Sequence, residues 1–60
     1  MQTEAQTIAR LRSMIFLMEE ALRIADEGDN ALLGAKISDC IDCLEGALHF
    51  AQERLAVSAI

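Results

Sequence analysis

Cys40-x-x-Cys43 is the one short motif in this sequence with recognised chemistry. Two thiols at that spacing can work as a redox dithiol, or as half of a four-thiolate zinc site if two chains each supply a pair. A redox pair places its first cysteine at a helix N-terminus, where the dipole favours the thiolate. Cys40 instead falls about ten residues into a helical pattern, and both thiols lie on its apolar arc, where burial makes a cysteine inert. They are expected to be core residues. His49 is the single histidine. It shares a helix face with Asp42 one heptad earlier and Glu45 one turn earlier, so Glu45 and His49 could pair or hold a cation. Di-iron bundles use inward-pointing Glu-x-x-His. This strip points outward at a different spacing and reads as a solvated face. There is no Ser–His–Asp arrangement and no Gly-rich phosphate loop. Two helices do not readily make the concave pocket that catalysis needs. No enzyme activity, cofactor or metal is expected.

The other candidates are binding residues. Phe16 falls among Arg12, Ser13, Glu19, Glu20 and Arg23, opposite the apolar arc of its helix. An aromatic flanked by arginines suits a partner contact; an edge position covered by a neighbouring helix, or plain exposure, would give the same pattern. Arg12, Phe16 and Arg23 are the candidate outer contacts for a protein partner. Arg10, Arg12 and Arg23 could instead meet phosphates. Three arginines without interleaved aromatics, in a chain of net charge −5, make nucleic acid a weaker reading.

These residues depend on two helices. Asp26-Glu27-Gly28-Asp29-Asn30 is the only cluster of turn formers. Gly28 is expected in the left-handed conformation that closes a helix, with Asp29 or Asn30 capping the next. Thr3 with Gln6 forms a capping-box pattern, and Glu4 suits the first turn. The spacing predicts one domain: helix 1 over about 4–27, a turn over about 28–30, and helix 2 over about 31–57. So short a link makes the helices antiparallel neighbours. Ile8, Leu11, Ile15, Met18, Leu22 and Ala25 step by threes and fours, as do Ile37, Ile41, Leu44, Leu48, Ala51 and Leu55. Folding at the Asp29–Asn30 bond brings Ala25 opposite Gly34, Leu22 opposite Ile37, Met18 opposite Ile41, Ile15 opposite Leu44, Leu11 opposite Leu48 and Ile8 opposite Ala51. Gly34 is expected to let the two backbones approach closely near the turn.

Each helix carries a second apolar stripe. Helix 1 adds Met14, Leu17, Ala21 and Ile24; helix 2 adds Leu33, Cys40, Cys43, Ala47, Phe50 and Val57. Together the stripes widen each apolar arc to roughly 160°. A lone hairpin covers only the inner seam, so the second stripe is the expected dimer interface, and the fold class is an all-α hairpin paired into an antiparallel four-helix bundle. Residues 19–45 hold eight acids and two bases, whereas the rest of the chain holds two acids and three bases. An antiparallel pair keeps the two acidic loop halves apart.

Composition agrees with this reading. Apolar residues make up 53% of the chain and proline is absent, which excludes disordered and collagen-like classes. The first ten residues lack a cationic start and an apolar centre, no uncharged run approaches a membrane span, and two cysteines suit a reducing compartment. A soluble cytoplasmic homodimer with no membrane partner is therefore expected. In length and in its short-looped antiparallel hairpin the chain resembles the ROP family of RNA-loop-binding dimers. That resemblance spans the whole chain as topology and implies an RNA-binding regulator, for which the arginines of helix 1 are the contacts this sequence offers. No residue motif of that family matches, so no RNA-binding position is carried over.

Overall fold

The computed structural model describes residues 3–58 and consists of two helices, α1 (Glu4–Glu27) and α2 (Ala31–Ser58), joined by a tight turn. Helix α1 starts as its residue types dictate. The Thr3 hydroxyl accepts a hydrogen bond from the Gln6 N–H at 3.1 Å, and the Gln6 side-chain oxygen accepts one from the Thr3 N–H at 3.0 Å. Two N–H groups that the helix cannot satisfy internally are thus paired.

The turn departs from expectation at one residue. Gly28 takes φ −82° and ψ 2°, whereas Asp29 takes the left-handed conformation at φ 60°. The Asp29 N–H donates to the Asp26 carbonyl at 3.2 Å and the Asn30 N–H to the Ala25 carbonyl at 3.0 Å. That pair of bonds is a Schellman motif with Asp29 in the left-handed seat, which places Gly28 one residue too early to fill it. Aspartate is among the few residues that tolerate this conformation. Asn30 then caps α2, its side-chain oxygen accepting from the Leu33 N–H at 3.1 Å. One residue therefore closes the first helix and opens the second, and the chain reverses without a longer loop.

The reversal brings the two seams together. Ile8, Ala25, Ile41 and Ala51 are buried, and so is Gly34, while Leu11, Ile15, Met18, Leu22, Ile37, Leu44 and Leu48 are half-buried. Every one of these is a seam position. Leu55 is the exception, 41% exposed. Its register partner is Glu4, where α1 begins. At that end Arg54 reaches Glu4 across the helices at 3.7 Å and lies 5.8 Å from the Phe50 ring centre. Gly34 does not mark an unusually close crossing. A Cβ there would sit 3.4 Å from the Asp26 carboxylate and 3.7 Å from Leu22, which are ordinary contacts.

Candidate interaction surface

A hairpin only one helix pair thick has no true interior. The Cα trace measures 47 × 15 × 15 Å with a radius of gyration of 14.0 Å, against about 10 Å for a compact chain of this length. The second stripes therefore stay open to solvent, and the antiparallel pairing puts both on one side of the rod. Met14, Leu17 and Met18 from α1 and Cys40, Cys43 and Leu44 from α2 line a single apolar groove of about 410 Å³. It sits near the middle of the molecule. Leu17 is 64% exposed, Phe50 61% and Val57 71%. Ile24 and Leu33 extend the exposed face towards the turn, and Ala47 lies between Cys43 and Phe50. Ala21 is half-buried.

Leu32 was not among the expected surface residues, yet it is as open as any large apolar side chain on the face. Its signal was adjacency to Leu33 in the first turn of α2. The 3–4 spacing passes over it because the period selects one of two neighbouring leucines.

Cys40 and Cys43 are free thiols and both are exposed in the hairpin, so they are not core residues of a single chain. The physical reason is the thickness of the fold. Only the inner seam is covered, and the thiols stand one stripe outside it, on the wall of the groove. They are the two thiols lining it.

The opposite side is polar. Phe16 stands there 60% exposed, with Arg12 and Arg23 also exposed. The Arg23 guanidinium is held by Glu20 at 2.9 Å and Glu27 at 2.8 Å, one turn to either side. The hydrogen bond that Arg23 donates to Glu20, together with the charge of that carboxylate, raises the Arg23 pKa above its ordinary value, with Glu27 adding to the effect. His49 pairs with Glu53 at 2.9 Å rather than with Glu45. Both carboxylates lie one turn away, and the rotamer chooses the one towards the C-terminus. Among the described residues no three His, Cys, Asp or Glu side chains gather as a metal cluster would require. None of the helices among them is long and apolar enough to cross a membrane.

Neither a protein-family profile, nor a curated protein, nor a solved structure matches the chain.

Proposed function

We propose that this protein is a non-enzymatic interaction module that works as a homodimer, two hairpins closing face to face into an antiparallel four-helix bundle. The observation that carries the reading is the continuous apolar face around the Met14–Leu17–Cys40–Cys43 groove. The hairpin exposes 4621 Å², whereas a compact globule of 6.6 kDa exposes about 3,900 Å². That excess of about 700 Å² is close to the ~800 Å² each partner contributes to a standard interface. A second copy is the occupant that matches the face in length, and its charges fit. Residues 19–45 carry a net −6 and the remainder a net +1, so the antiparallel pairing sets each acidic half beside the other copy's mildly basic one. Salt screens this preference beyond about 10 Å, which makes it a guide to orientation and leaves apolar burial as the source of affinity.

Closing the apolar faces leaves the polar side outward, with Phe16 as an aromatic anchor and Arg12 and Arg23 beside it. A regulatory or adaptor role through a protein partner follows from that presentation. The RNA-binding alternative has less support, because Arg23 is already paired with Glu20 and Glu27. Sedimentation equilibrium tests the dimer. The expected result is twice the chain mass at micromolar concentration, reduced to the chain mass by Leu17→Glu; a native protein that sediments as a single chain overturns the proposal. Titration with RNA at low and moderate salt tests the alternative, and salt-sensitive binding would favour it over the adaptor reading.

A further inference from the structure

Cys40 and Cys43 are both exposed, both free and both on the wall of the central groove, and helix geometry limits what they can bond. Positions three apart on a helix hold their Cβ atoms about 5–6 Å apart, while a disulfide needs about 3.5–4.5 Å. A Cys40–Cys43 bond would therefore have to break into the middle of α2. That cost to α2 favours a partner thiol in another molecule.

Symmetry decides which one. Two faces related by a twofold axis can meet in two ways. With the loops at the same end, α1 of one copy lies on α2 of the other, and the two α2 helices sit diagonally. For helices 8–10 Å apart that diagonal is about 11–14 Å between axes, and with Cα atoms about 2.3 Å off each axis even residues aimed along it stand about 7–9 Å apart, at or beyond the ~7 Å Cα limit of a disulfide. With the loops at opposite ends, α2 lies directly on the other copy's α2, and residues at the axis face themselves. Cys43 is within half a turn of the midpoint of α2, which runs Ala31–Ser58, and it lines the groove at the same level. Its neighbours one turn towards the C-terminus are small. Ala47 follows one turn later, and a Cβ on Gly46 would meet nothing within 4 Å, so a second backbone can come close.

Resting on the dimer reading above, we propose that Cys43 lies beside the Cys43 of the second copy at the centre of the antiparallel bundle, so that a small disulfide oxidant such as oxidised glutathione converts a reversible dimer into a covalent one. The thiolate of one Cys43 attacks the oxidant, forming a mixed disulfide and releasing one glutathione thiolate. The second copy's Cys43 thiolate then displaces the other. Two protein thiols lose their protons and a pair of electrons, and one oxidised glutathione becomes two reduced molecules. Cys40 is set apart by position. Three residues from the axis, it stands about 9 Å along the bundle from its own counterpart, at 1.5 Å per residue in each copy.

The full chain is equilibrated in reducing buffer, its mass measured by sedimentation, and then exposed to oxidised glutathione and read by non-reducing electrophoresis. Wild type and Cys40→Ser are expected to yield a species of twice the mass that a reductant reverses, and Cys43→Ser none. Leu17→Glu, which disrupts the face without touching either thiol, is expected to slow the linkage at least tenfold. A protein that is dimeric in reducing buffer but does not link, or links only through Cys40, overturns this inference and leaves the dimer standing. A protein that is monomeric in reducing buffer overturns the dimer, and this inference with it.

Discussion

At the scale of single residues the turn is the most informative place in the chain. A left-handed seat favours glycine because an L-residue's Cβ crowds the following carbonyl. Here that seat belongs to Asp29, while Gly28 next to it has ordinary helical-region angles. A Cβ on Gly28 would meet the Ile24 and Ala25 carbonyls at 3.5 and 3.7 Å, which are unstrained contacts. Gly28→Ala is therefore expected to stabilise by about 0.4–1 kcal/mol through the unfolded chain. Asp29→Val should destabilise by more than about 1 kcal/mol, since a β-branched side chain does not accept the left-handed seat. Urea unfolding with an unchanged slope measures both. Gly34 belongs with Gly28. Its neighbours leave room for a methyl group, so Gly34→Ala should gain about 0.5–1 kcal/mol of helix propensity. The glycines were legible as turn and seam residues, but which of them the backbone requires was not. That depends on φ and on distances between helices, and composition contains neither.

The helices as elements follow from spacing and capping. Thr3 and Gln6 close the start of α1 with two reciprocal hydrogen bonds, and Thr3→Ala should cost about 1 kcal/mol. Shelter along the seam tracks the heptad pattern from Ile8 to Ala25 and from Gly34 to Ala51, and fails at Leu55, whose partner across the seam is Glu4. Ile41 is buried at the middle of that seam. Ile41→Ala should remove about 2–5 kcal/mol, against a change within about 0.5 kcal/mol for Glu45→Ala on the exposed polar strip of α2. Thermal unfolding by circular dichroism distinguishes the two. Side-chain pairing on the outer faces is less readable. His49 had Glu45 and Glu53 each one turn away, and only the rotamer in the folded chain selects Glu53.

For the molecule as a whole, the decisive quantity is surface. A rod 15 Å thick covers one stripe of each helix, and among the described residues the second stripe has nothing to lie against. If two copies cover it, the melting temperature must rise with protein concentration, because a dimer's stability includes the concentration of its protomers. A tenfold dilution series followed by circular dichroism checks this, and a concentration-independent midpoint counts against self-association. The same series on Leu17→Glu should show a low midpoint that no longer depends on concentration.

The apolar period and the capping residues were enough to define two helices and the register in which they meet, because local geometry and a turn too short for any other arrangement leave a single solution. Which residue holds the strained turn angle, whether Gly34 is needed, and on which side of the burial line Cys40 and Cys43 fall were decided only when the two helices were set side by side. Those properties depend on how much of each helix its neighbour can cover, and one antiparallel neighbour covers the inner seam and no more.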